Sequence, residues 1–126
     1  MAQIKDIAPM VPVRDVEKTA KFYEDILDFK TRFIAEDKSF GIVEHSGCAI
    51  HLQKTDDDAA LKATAEQIAS YVWVEDLDEL YNSLKGGLDG LPEGRFRKPF
   101  NQPYGMREFH VKDPDGFLLF FGEYIS

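Results

Sequence analysis

The sequence predicts an α+β fold, two βαβββ modules forming a curved mixed sheet around a cavity. Three observations carry that expectation. Ala8-Pro9-Met10-Val11-Pro12-Val13-Arg14-Asp15-Val16 lies over Ala69-Ser70-Tyr71-Val72-Trp73-Val74-Glu75-Asp76-Leu77, and both stretches end in Val-x-Asp-aliphatic. Each runs into a helical apolar period, which then gives way to a strand-like one. The last two strand-like runs meet at Asp113-Pro114-Asp115-Gly116, where proline presets φ and glycine tolerates a positive value.

In chain order, the first apolar stretch reads as a strand and Asp15 as the cap of the helix after it. The Asp15 carboxylate can accept from an orphan amide of the first turn. Val16, Ala20, Tyr23 and Leu27 recur at helical spacing, with Phe22 and Ile26 widening the stripe. Residues 29–35, 40–44 and 48–53 follow as strands, the last two joined by His45-Ser46-Gly47. Residues 55–67 are polar and Ala-rich, a short surface helix or linker, with Asp56-Asp57-Asp58 as a solvated turn or helix start. In the second module Asp76 takes the capping place with Glu79 as capping-box partner. Leu77, Leu80, Tyr81 and Leu84 form the helix stripe, and Gly86-Gly87 is expected to stop it. Residues 95–98, 107–112 and 117–122 supply the remaining strands.

Length and charge bound the function. At 126 residues the chain is one domain: module one about 6–55, a linker about 56–67, and module two about 68–126. Its 15 Lys and Arg against 23 Asp and Glu leave a net charge of −8. That balance repels phosphate backbones and anionic lipid, so neither nucleic acid nor membrane is an expected partner. The one cysteine, Cys48, excludes an internal disulfide and reads as a small buried hydrophobe. No apolar leader opens the chain, and the longest apolar run, 117–121, is far too short to span a bilayer. The expected compartment is the cytoplasm.

Three stretches carry a family likeness: Val13-Arg14-Asp15-Val16 leading to Phe22-Tyr23, then Val72-Trp73-Val74-Glu75-Asp76-Leu77-Asp78-Glu79-Leu80-Tyr81, then Gln102-Pro103-Tyr104-Gly105-Met106-Arg107-Glu108-Phe109 to Asp113-Pro114-Asp115-Gly116. With them the whole chain resembles the vicinal oxygen chelate superfamily, and within it the bleomycin-resistance proteins most. The resemblance implies the glyoxalase/bleomycin-resistance fold. Enzymes of this superfamily hold a divalent ion at the first and last strands of each module, places that fall here near Ala8, His51, Ala69 and Phe120. Three of those four side chains have no lone pair to offer, so the expectation is no metal, no cofactor and no catalytic residue. A metal-dependent lyase, isomerase or dioxygenase of the superfamily is the alternative, with His51, His110 and Glu108 as an unconventional ligand set. Glu108 and His110 read more simply as a solvated face.

The resemblance otherwise implies a non-catalytic binder that sequesters a cationic aromatic antibiotic of the bleomycin class, working as a homodimer with an exchanged N-terminal arm. Pro9 and Pro12 fit a first strand that pairs poorly in its middle, or a plain edge strand blunted by proline. Phe33 and Phe40 match the places of ligand-stacking phenylalanines, although Arg32 stands where relatives tend to carry an acid. His51 and Gln53 share a strand face toward the cavity, His51 more as a satisfied internal histidine than a catalytic group. Tyr71 is expected to line the cavity and Trp73 to pack in the core. Tyr104 is either a ligand contact or a loop aromatic closing over the core, and Arg107 orients a ligand oxygen or pairs with an acid at the surface. A third reading, a module that only dimerises, requires Phe109, Phe120 and Phe121 to fill the cavity.

Overall fold

The chain builds β1 (Met10–Val13), α1 (Val16–Leu27), β2 (Lys30–Ile34), β3 (Phe40–His45), β4 (Cys48–Lys54), α2 (Asp58–Gln67), β5 (Ala69–Trp73), α3 (Leu77–Asp89), β6 (Phe96–Asn101), β7 (Met106–Lys112) and β8 (Leu118–Tyr124). This computed structural model describes residues 1–125; Ser126, the last residue of module two as read from the sequence, lies outside the described residues. The strands form two four-stranded sheets, ordered β1-β4-β3-β2 and β5-β8-β7-β6. In each sheet the first strand pairs parallel with the last, and the other pairs are antiparallel. Met10 stands opposite His51 and Tyr71 opposite Phe120. The repeat read from the sequence superposes those same pairs, so it extends to the register of the strands.

Helix α1 follows its pattern closely. Asp15 is extended, its carboxylate accepts from the Lys18 amide at 3.0 Å, and Val16, Ala20, Tyr23 and Leu27 are buried. Helix α3 departs from expectation at both ends. Asp76 sits in the left-handed region at φ 60° and its side chain caps nothing. The Glu123 carboxylate, reaching across from β8, instead accepts from the Asp76 and Leu77 amides at 3.0 and 3.1 Å. Nor do Gly86 and Gly87 end the helix, which continues to Asp89. Gly87 serves packing: a Cβ there would come within 3.1 Å of Ile26 Cδ1 on α1. Asp57 caps α2, accepting from the Ala59 and Ala60 amides.

Helix α1 packs on β2, β3 and β4, α3 on β6, β7 and β8, and the two helices touch each other. One buried cluster therefore runs through both modules, from Val11, Tyr23 and Leu52 to Leu88, Phe109 and Phe121. Phe109 and Phe121 stack within it at 4.7 Å. Alternation then commits the other residues of each strand to the helix-free faces, where most side chains stay partly exposed. Phe120 lies on that second face, so Phe109 and Phe121 do not fill it.

The prolines follow the second of their two readings, an edge strand blunted by proline. The Pro9 and Val13 carbonyls accept from the His51 and Thr55 amides of the neighbouring strand. Every other residue of β1 thus turns toward β4, which leaves the missing amide of Pro12 on the free edge, where no ladder bond is lost.

Candidate functional site: two aromatic sheet faces

On the helix-free face of the second sheet, Glu108 is fully buried rather than solvated. Four side chains converge on its carboxylate. Tyr71 and Tyr104 hydroxyls donate to Oε2 at 2.8 and 2.7 Å, and Gln102 Nε2 donates to Oε1 at 3.0 Å. His110 Nε2 lies 2.8 Å from Oε1. Burial pushes the Glu108 pKa up, but these hydrogen bonds outweigh it and hold the group at about 2 against an ordinary 4.5. Partial desolvation, then the bond to Glu108, raises the Tyr71 and Tyr104 phenols above their ordinary value. The cluster is an ionised carboxylate clasped by phenols that stay protonated.

Gly122 makes room for it. Opposite Glu108 across the β7–β8 ladder, it lies under the Tyr71 phenol. A Cβ there would run into the Tyr71 hydroxyl and stand 2.7 Å from its Cζ and 3.0 Å from Glu108 Cγ. From Tyr71 the aromatic contacts spread in both directions. Trp73 lies 5.0 Å away and Tyr124 a further 5.2 Å; on the other side come Phe120 at 5.9 Å, His110 at 4.1 Å and Phe100 at 5.1 Å. Arg97 covers the Phe100 ring at 3.5 Å. Trp73, expected in the core, is 60% exposed on this face. Its alternation with half-buried neighbours is fixed by β5, and β5 turns the odd residues outward.

The first sheet offers a smaller row. Phe33, half-exposed on β2, faces Phe40 at 6.3 Å, and His51 meets Phe40 edge-on at 5.4 Å. Gln53 pairs with Phe40 across β3–β4 and is exposed. Arg32 binds Glu44 at 2.8 Å, so the out-of-pattern cation is locally neutralised. A cavity of about 430 Å³ opens where the N-terminal arm passes β4 and β5, lined by Ile7, Pro9, Phe29, Cys48, Tyr71 and Trp73. Cys48 is exposed at its rim, not buried.

The predicted residues divide between the two sheets, Phe33, Phe40, His51 and Gln53 at the first and Tyr71 and Tyr104 at the second, and Arg107 joins neither group. Arg107 points to the helix side, with Nε and Nη2 on the Asp78 carboxylate at 3.0–3.1 Å and Nη1 on Asn101 at 3.0 Å. His51 sits on a different sheet from Glu108 and His110. Among the described residues no group of three or more His, Cys, Asp or Glu side chains is placed to share one ion. Ala69 opens β5, and Phe120 pairs with Tyr71, so neither of those places can donate to a divalent metal. The residues do not fit the metal of the superfamily's enzymes.

Two βαβββ modules with matched parallel pairs make this a protein of the glyoxalase-like class. The model of the Glyoxalase/Bleomycin resistance protein/Dioxygenase superfamily matches residues 3–121, and the chain belongs to that superfamily. Solved structures with the same fold include the bleomycin-binding protein of the bleomycin producer Streptomyces verticillus, in complex with copper(II)-bleomycin. It is 23% identical with a TM-score of 0.77, over 100% of this chain and 99% of that one. A bleomycin-binding protein in complex with bleomycin is 25% identical at 0.76, over 95% and 98%. A glyoxalase-related enzyme from Clostridium phytofermentans is 22% identical at 0.72, over 98% of each chain. No curated protein matches the sequence.

Sequence reasoning passed over Gly122 and weighed Glu108 only as an unconventional metal ligand or part of a solvated face. One signal was available: counting back from the Asp113–Gly116 turn pairs Glu108 with Gly122, an acid facing a residue with no side chain.

Proposed function

We propose that the chain is a non-catalytic small-molecule binding protein that sequesters a cationic aromatic antibiotic of the bleomycin class in the cytoplasm. The observation that carries this reading is the aromatic face of the second sheet, Tyr71, Trp73, Tyr104 and Tyr124 exposed around an ionised Glu108. Planar heteroaromatic rings stack on such a face, and the net charge of −8 favours a cationic tail. Phe33, Phe40, His51 and Gln53 form the opposing wall. In one chain the helices separate the two walls, so we infer a homodimer in which the first sheet of one copy meets the second sheet of the other. The exposed Met1, Ile4 and Ile7 of the N-terminal arm suit a strand exchanged in that contact.

Trp73, the single tryptophan, reports binding directly. Titration with metal-free bleomycin is expected to give a saturable change in its emission, and a flat response at micromolar protein overturns the reading. Cells expressing the chain should tolerate the drug, and Tyr104→Ala should remove the tolerance. Sedimentation equilibrium checks the dimer: a monomer at micromolar concentration removes the shared crevice.

A further inference from the structure

We propose that Glu108 is a positioning residue that makes the Tyr71–Trp73–Tyr124 shelf selective for flat heteroaromatic cations over neutral rings of the same shape. The proposal rests on the ligand-binding reading above and adds to it the group that sets charge preference.

Three observations converge. Tyr71 on β5 and Tyr104 in the loop before β7 both end on the same carboxylate oxygen, at 2.8 and 2.7 Å, so one residue fixes two exposed rings from separate elements. The tie needs Gly122, since any side chain there displaces the Tyr71 phenol. The charge is also uncompensated by lysine or arginine. Tyr71, Tyr104, Gln102 and His110 are the hydrogen-bond partners, and the adjacent Arg107 is turned away onto Asp78 and Asn101.

The physical consequence acts through the ring. A phenol donating to an anion becomes richer in π-electron density, and the negative face of such a ring attracts a cation. Tyr71 passes that surface to Trp73 at 5.0 Å, and Trp73 to Tyr124 at 5.2 Å. A buried negative charge a few ångströms beneath an apolar shelf is weakly screened, so its field adds to the ring's own. A flat neutral guest stacks on the same surface without that gain.

N-methylacridinium and acridine at pH 8 form a matched pair, one cationic and one neutral. Titrating each against the full chain while reading Trp73 emission gives two affinities. The native protein is expected to prefer the cation about tenfold. Glu108→Gln keeps the size of the side chain and removes its charge; it should bring the two affinities within about twofold of each other. A tenfold preference that survives Glu108→Gln, or a native protein that binds both probes alike, overturns the proposal and leaves ligand binding standing. Silence of Trp73 toward both probes overturns the binding reading and this inference with it. Should Glu108→Gln not fold, Tyr71→Phe severs the tie with the ring and carboxylate in place. It should lower the cation preference about threefold, and an unchanged preference overturns the proposal.

Discussion

Gly122 and Glu108 show how much depends on single atoms at this face. Gly122→Ala forces the Tyr71 phenol off the carboxylate, because the new methyl group occupies its place. A crowded site of this kind should lose about 1–3 kcal/mol, measurable as a lower urea midpoint. Emission from Trp73 should shift as well, since its ring rests against Tyr71. Glu108→Ala leaves four polar side chains without their acceptor and should cost about 3 kcal/mol or more. Why the role of these residues escaped sequence reasoning is instructive. Strand alternation says which face a side chain joins, and it placed Glu108 and His110 correctly opposite Phe109. It says nothing of what covers that face, and here Gln102 and Tyr104 fold over it from a loop. Trp73 misled in the opposite direction: its size suggested the core, and its parity with Tyr71 puts it outside.

Among the elements, α1 and the strand pairs were legible because their signals are local. An extended Asp before an i, i+4, i+7 stripe, or a Pro-Asp-Gly turn between two apolar runs, needs nothing from the rest of the chain. The start of α3 was not legible, because its cap comes from Glu123, 46 residues from Leu77. Glu123→Ala removes the acceptor of two first-turn amides and should cost about 1–2 kcal/mol. Asp76→Asn should leave those bonds intact, as the Asp76 side chain caps nothing and asparagine tolerates the left-handed backbone there. Comparing the two variants by thermal unfolding tests the assignment: equal losses would show that capping from β8 is not what holds the helix. The glycines of α3 teach the same lesson, since the residue that would end an isolated helix instead admits Ile26.

For the whole molecule, two carboxyl groups shape stability against pH in opposite directions. Glu108, at about 2 when folded against 4.5, contributes stability that is present above pH 4.5 and lost as pH falls toward 2. Asp113 is the reverse. Burial raises it from 3.8 to about 6, despite its bonds from the Phe117 and Asp115 amides, and one of its oxygens has no partner. Its contribution is complete below pH 3.8 and disappears as pH rises to 6. Each group is worth about 3 kcal/mol across its window. Stability should climb from pH 2, crest near pH 4 and decline to pH 6. Urea unfolding at several pH values checks the curve, and Asp113→Asn should abolish the decline; a decline that persists in that variant would assign it elsewhere. The saturation of Glu108 carries one more consequence. With two donors on each oxygen, it has no lone pair left to take a proton from a guest or to attack one. Held that way, it serves its aromatic roof as a fixed charge and not as a base or a nucleophile.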